Sequence, residues 1–320
     1  MQNNNIYYAF RLTIHSDFIL PELEAKEVGA TQVDLEIRRR KLREIPSTIL
    51  PTQSYFYIKE NYCLFQIPNI AAFLVENGTS ITVSPMVENK EDVIRLYLLG
   101  TCMGILLIQR GILPLHGSAV VLDGKAYAIV GDSGAGKSTL ASSFIEKGYT
   151  LMTDDIIPVV FNEENEPIVI PTYPHQKLWL QTLEQYEKDH NDFQPIAYRE
   201  TKYSVPVSDQ FCKEPVPLAG LFELEATDTR EVIFHSIEKL DIFQTLFKHT
   251  FRNFVVTESG LMDWHFQTSI KLASKVTLTK IERPKDRFTA NEISNEIIHQ
   301  FSKRESNQVN EKMLVNGRGS

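Results

Sequence analysis

His116–Asp155 reads HGSAVVLDGKAYAIVGDSGAGKSTLASSFIEKGYTLMTDD, and inside it Gly131–Ser138, GDSGAGKS, fills every position of the pattern G-x-x-x-x-G-K-S/T. Glycines let a chain turn tightly and aim several N–H groups at one anion. A helix starting just after such a loop adds partial positive charge at its N-terminus. Both conditions are met: the apolar stretch Lys125–Val130 runs straight into the loop, and a helix is expected from Lys137 to about Lys147, stopped by Gly148. The stretch predicts a bound nucleoside triphosphate, ATP, held by Gly131, Asp132, Ser133, Gly134, Ala135, Gly136, Lys137, Ser138 and Thr139. Lys137 then reaches the β- and γ-phosphates, Ser138 ligates Mg²⁺, and Thr139 bonds a nearer phosphate. The competing reading, a glycine-rich turn with an exposed lysine, is disfavoured by the strand–loop–helix context.

Working outward, a strand expected over Tyr149–Thr153 ends at Asp154-Asp155. In a parallel α/β sheet the carboxyl ends of the strands line the ligand crevice, so the acids and the glycine loop are expected on one edge. Neighbouring strand residues point to different sides. One carboxylate can therefore approach the metal while the other faces an incoming hydroxyl as general base. Spacing alone fits a solvated Asp-Asp turn equally well; adjacency to the loop favours chemistry. On the other side, His116-Gly117 precedes a hairpin of Ser118–Leu122 and Lys125–Val130 turning at Asp123-Gly124. His116 can reach a reacting phosphate or the acceptor, although the bare sequence favours a structural histidine. Asp132 and Ser133 are read as contributors to metal or acceptor binding, or as loop geometry. The catalytic candidates are thus Asp154, Asp155, His116 and Lys137, and the metal candidates Ser138, Asp154 and Asp155.

Before this core, period-two alternation marks β stretches at Ile6–Ile14, Val33–Ile37, Ser54–Ile58, Tyr62–Ile67, Ala71–Val75 and Ser80–Val83, with an Asn77-Gly78 turn. A helix is expected from Glu91 to Arg110, stopped by Gly111. After it come a hairpin of Ile156–Phe161 and Pro167–Ile170, a helix over Leu178–Lys188 and a loop over Asp189–Thr201. Strands are expected at Leu218–Glu225, Val232–Ser236 and Lys275–Glu282, with helices at Lys239–Thr250 and Ala290–Phe301. The fold class is α/β: a β-rich N-terminal module over residues 1–88, open to peptide recognition, then a P-loop kinase domain over 89–302. Residues 303–320, polar and aperiodic, read as a disordered tail.

Composition bounds the partners. The 320 residues carry a net charge of −8, which argues against nucleic acid. Cys63, Cys102 and Cys212 form no CxxC pair and read as reduced thiols. The longest apolar run, Leu96–Ile108, is shorter than the ~18–20 residues needed to span a bilayer. It reads as a buried helix. With no signal-like segment at MQNNNIYYAF, the chain is placed in the cytoplasm, with no membrane partner.

The ordered set His116-Gly117, Gly131–Ser138, Lys147-Gly148 and Thr153-Asp154-Asp155 resembles the catalytic core of HPr kinase and its bacterial relatives. The resemblance covers about 40 residues and implies a P-loop kinase that uses ATP and Mg²⁺ to phosphorylate a serine. It implies that the aspartate pair contains the base that activates the acceptor and that His116 lies in the active site, without assigning each aspartate. That family carries a second signature similar to LEIRGLGIIDV, which supplies a metal-ligating glutamate. Here PTYPHQKLWL (Pro171–Leu180) and RETKYSVPV (Arg199–Val207) stand instead. These, with SDFILPEL (Ser16–Leu23), resemble a divergent branch that includes lasso-peptide precursor kinases. A precursor peptide is thereby favoured over HPr as the serine-bearing substrate, and homo-oligomerisation is left open. HPr(Ser) kinase, a small-molecule kinase and a non-kinase P-loop ATPase or nucleotide-dependent switch remain the alternatives. Lys177, Arg199 and Lys202 are cations able to steady phosphate charge, though surface charge is the commoner role for each. Tyr173, Leu178 and Trp179 are read as core.

Overall fold

The computed structural model describes residues 5–27, 32–42, 56–238 and 240–301. The chain opens with strands β1 (Asn5–Ala9) and β2 (Leu12–Ser16). The single stretch expected over Ile6–Ile14 is in fact this hairpin, because Phe10 and Arg11 both take positive φ (55° and 58°) and close a two-residue turn. Strands β3 (Glu24–Lys26), β4 (Leu35–Arg39), β5 (Phe56–Lys59), β6 (Tyr62–Ile67), β7 (Ala71–Glu76) and β8 (Ser80–Pro85) complete an eight-stranded sheet in the order β3-β1-β2-β4-β8-β7-β6-β5. Asn77 and Gly78, both at positive φ, turn β7 into β8.

The apolar run that follows is one buried helical rod with an irregular middle. Helix α1 (Glu91–Tyr97) passes into a π-helical turn (Leu98–Cys102) and then α2 (Met103–Gln109). Such turns widen a helix by one residue and often mark functional sites. Phe18, just after β2, and Phe65 and Phe73 of the sheet share a buried cluster with Ile94, Leu98 and Ile105 of the rod, so packing crosses the boundary drawn at residue 88. The cysteines are free, with Cys63 and Cys102 buried. Among the described residues no helix is long and apolar enough to cross a membrane.

Next come β9 (Leu113–Leu122), β10 (Lys125–Gly131), α3 (Lys137–Glu146), β11 (Thr150–Phe161) and β12 (Pro167–Val169). They are followed by β13 (His175–Trp179), α4 (Leu180–Gln185), β14 (Gln194–Ile196), β15 (Arg199–Pro206), β16 (Val216–Thr227) and β17 (Ile233–Ser236). Helices α5 (Leu240–Lys248), α6 (Phe254–Glu258) and α7 (Met262–Ala273), strand β18 (Thr277–Pro284) and helix α8 over 290–301 end the described chain. The second sheet runs β10-β9-β11-β12-β16-β18-β17, and β16 also pairs with β10, so it curls back on itself.

Two expectations are corrected. The strand after the loop helix does not end at the acid pair: β11 continues through Asp154-Asp155 to Phe161, and the strand expected at Ile156–Phe161 is its second half. Nor is it the parallel neighbour of β10, because β9 lies between them and is antiparallel to both. The acids still come level with the loop. Asp154 is opposite Ser118 and Asp155 opposite Gly117, while Ser118 and Gly117 face Ile129 and Val130 at the end of β10. Asp155 itself takes φ 79°, a left-handed value that Asp tolerates better than most residues.

The second correction concerns Pro171–Val207. The helix expected over Leu178–Lys188 shrinks to α4, and the loop expected over Asp189–Thr201 contains β14 and the start of β15. Together β13, β15 and β14 form a small third sheet. Gln176 and Leu178 are buried while Lys177 and Trp179 alternate with them on the other face, the period of a strand. Tyr173 and Leu178 are core as expected, but Trp179 is 38% exposed. Residues 251–274, given no element by the sequence, hold α6 and α7.

Candidate active site

The glycine loop joins β10 to α3, and its backbone leaves little choice of residue. Gly131 sits at φ 151°, and a Cβ there would lie 2.3 Å from the Leu224 carbonyl oxygen on β16. Gly134 and Gly136 are left-handed, and Gly136 caps the N-terminus of α3. Lys137 is buried and folds back over the loop, its Nζ donating to the Gly131 and Asp132 carbonyls at 2.9 and 3.1 Å. Burial lowers its pKa; the Asp154 charge opposes that and the Lys202 charge adds to it. Arg283 Nε donates to the Ala135 carbonyl at 2.8 Å, bracing the loop from β18. Ala135 turns its methyl into the core, and the Thr139 hydroxyl shares a 2.9 Å hydrogen bond with Thr182.

Both acids line the cavity with the loop, but only Asp154 bonds to it. Asp154 is buried, and its Oδ1 accepts from the hydroxyls of Ser118 (2.5 Å) and Ser138 (3.0 Å). Its Oδ2 accepts from the Lys177 main-chain N–H at 2.8 Å. Asp155 points elsewhere: Oδ2 lies 2.5 Å from Lys177 Nζ and Oδ1 lies 3.6 Å from His116 Nδ1. His116 Nδ1 is also 2.9 Å from the Asp155 carbonyl. Burial pushes the Asp155 pKa up, but Lys177, His116 and Lys202 outweigh it and hold the carboxyl well below the usual range. For Lys177, burial works against the charge, yet Asp155 carries its pKa above the ordinary lysine value. Burial lowers the pKa of His116, opposed by Asp155. Asp155 also borders the π-helical turn: a Cβ on Gly100 would lie 3.8 Å from Asp155 Oδ2.

Loop and acids line one cavity of about 920 Å³. Gln185, Phe288 and Thr289 line it, as do Tyr97, Thr101, His116 and Arg252. Lys177, Lys202, Lys248, Arg252 and Arg283 line it with Lys137, so a chain of net charge −8 gathers cations at one place. Low-dielectric walls focus such a field on an anion.

Among the described residues no group of three or more His, Cys, Asp or Glu could hold a metal. A magnesium site that leans on nucleotide oxygens needs only one or two protein ligands. Ser138 Oγ and Asp154 Oδ1, 3.0 Å apart, have the separation of adjacent oxygens around an octahedral Mg²⁺ with ~2.1 Å bonds. Asp155, tied to Lys177 and His116, does not share that pair.

The structure brings together Asp154, Asp155, His116, Lys137, Ser138 and Thr139, with Asp132 and Ser133 on the cavity wall. Asp132 Oδ2 is 3.2 Å from Lys248. Lys177 and Lys202 join the site; the Arg199 side chain and residues 303–320 lie outside what the structure describes. Sequence reasoning missed Ser118, which looks like any strand residue until β9 is seen beside β11. It also missed Glu223, one strand from the loop, which accepts from His249 Nε2 at 2.8 Å and lies 3.7 Å from Lys248.

No family model matches the chain. A 63-residue stretch, 19% of the chain, is 40% identical to the HPr kinase/phosphorylase of Mycoplasmopsis pulmonis. That stretch spans 20% of the relative's own length. The HPr(Ser) kinase/phosphatase of Coxiella burnetii superposes on 60% of this chain and 98% of its own with a TM-score of 0.32 and 13% identity, too low to bear on the fold.

Proposed function

We propose that the chain is an ATP- and Mg²⁺-dependent serine kinase acting on a peptide or small protein, with a ribosomal precursor peptide favoured over HPr. The observation that carries this reading is the division of labour between the acids. Asp154 shares a hydrogen bond with Ser138 at the first turn of α3, and these two oxygens would hold Mg²⁺, which would offset charge on the phosphates. Asp155 is paired with Lys177 and His116 instead and lines the same cavity, which leaves it to face an acceptor hydroxyl.

The chemistry follows from these placements. The loop amides and Lys137 hold the phosphates, and Mg²⁺, when bound, neutralises charge on the transferring group. Asp155 orients the acceptor hydroxyl and receives its proton as the new O–P bond forms and the bond to ADP breaks. A carboxylate held this far below the usual range is a weak base, so positioning is the larger part of its contribution. The 40% identical segment of an HPr kinase/phosphorylase supports serine phosphorylation as the reaction class.

Incubation with Mg²⁺ and γ-labelled ATP, with and without a serine-bearing precursor peptide or HPr, tests the reading. Label on a serine of the acceptor, lost in Asp155→Asn, is expected. Phosphate released at the same rate with and without acceptor would instead identify a nucleotide-dependent switch.

A further inference from the structure

The small third sheet is the segment with no assigned task. On β13, Lys177 and Trp179 share a face, and β15 pairs Ser204 with Lys177 and Lys202 with Trp179. Cross-strand partners lie on the same side of a sheet, so Lys177 and Lys202 project from one face as diagonal neighbours. That face lines the cavity. Lys202 Nζ lies 5.4 Å from the centre of the Trp179 ring, a contact that directs its long chain. Lys177 uses both ends: its main-chain N–H holds Asp154 and its ammonium holds Asp155.

We propose that this face is a second phosphate-binding element, in which Lys177 and Lys202 grip the terminal phosphoryl group of the bound triphosphate while the glycine loop holds the inner phosphates. The inference rests on reading the glycine loop as a triphosphate site. Three observations place the cations there. Lys177 spans the two acids that flank the expected reaction centre. Lys202, the diagonal neighbour of Lys177 on the same sheet face, lines the cavity together with the glycine loop and Asp155. Third, no described cluster of acids offers a complete metal cage. Two ammonium groups would supply positive charge to the equatorial phosphoryl oxygens, where charge accumulates during transfer. Lys177 is already buried and charged beside Asp155, so a phosphate it contacts while keeping that partner adds little further desolvation cost.

The proposal predicts discrimination between triphosphate and diphosphate. Binding of ADP and of a non-hydrolysable β,γ-imido ATP analogue to the full chain with Mg²⁺ should be measured by titration calorimetry. The wild type is expected to prefer the analogue. Lys177→Met and Lys202→Met should each reduce that preference about tenfold, the loss of one charge-assisted hydrogen bond, with ADP affinity within about twofold. Lys→Arg at either position should keep most of it. A merely structural role would weaken both ligands together, and that result overturns the proposal, as does an unchanged preference. Lys202→Met leaves the Asp155–Lys177 pair intact and decides the matter if Lys177→Met does not fold. Failure of the wild type to bind either nucleotide would sink the triphosphate reading itself, and this inference with it.

Discussion

The Ser138 hydroxyl donates to Asp154 Oδ1 at 3.0 Å, tying the first turn of the loop helix to a strand that is two places from β10 in the sheet. Ser118 fills the place between, donating from β9 to the same oxygen at 2.5 Å. Side chains from β9 and α3 thereby converge on one carboxylate of β11.

Asp154→Asn should raise the Mg²⁺ concentration needed for half-maximal turnover about tenfold or more, because a neutral amide is a far weaker magnesium ligand. Affinity for ADP measured without metal should change little. A magnesium titration of turnover checks this, and an unaltered requirement would move the metal away from Asp154.

Asp155→Asn should lower turnover by roughly 10²–10⁴-fold, the usual range for a positioned acid–base group, with nucleotide affinity nearly retained. The pH dependence follows from the charges around it. Lys177 and His116 keep Asp155 ionised well below the usual carboxylate range, so the wild-type profile of kcat/KM should show no acid limb from Asp155 near pH 4. Burial lowers the pKa of His116, so it titrates below its ordinary value. Lys177→Met removes the main opposing charge and should bring an Asp155 limb up to about pH 4 or above. A profile identical to wild type would refute the assignment.

Glu223 offers a stability test outside the acid pair. Its hydrogen bond from His249 outweighs burial and lowers its pKa. A depressed folded-state value contributes stability above the unfolded pKa, near 4.3, and loses it as pH falls through the folded value. Glu223→Gln should therefore cost about 1–3 kcal/mol at pH 7 and less toward pH 3, flattening the acid side of the urea-denaturation curve. Equal losses at both pH values would show that charge is not what the pair contributes.

Gly131→Ala should abolish nucleotide binding and lower the melting temperature. The added methyl would stand 2.3 Å from the Leu224 oxygen, in backbone, which cannot swing aside as a side chain can. Calorimetry and thermal unfolding read both effects; retained binding would mean β16 can give way.

The glycine loop, its helix and the Asn77-Gly78 and Asp123-Gly124 turns were legible in the sequence because each depends on contiguous residues. The placement of β9 between β10 and β11 was not, because periodicity shows that a segment is a strand and never which strand lies beside it. The alternation through Gln176, Lys177, Leu178 and Trp179 was masked by the apolar i, i+3 spacing of Leu180, Leu183 and Tyr186 just after it, which suits a helix; pairing with β15 overrides it. Ser118 and Glu223 carry no local signature at all. Their contributions exist only once Asp154 and His249 have been brought to them.

The buried cluster that starts among the phenylalanines of the first sheet runs through the π-helical rod to Ile156, the residue after Asp155. Deleting the first 88 residues would strip that rod of its cover and leave an apolar surface facing water beside the reaction centre. A fragment cut there should precipitate or lose activity rather than act as a minimal enzyme.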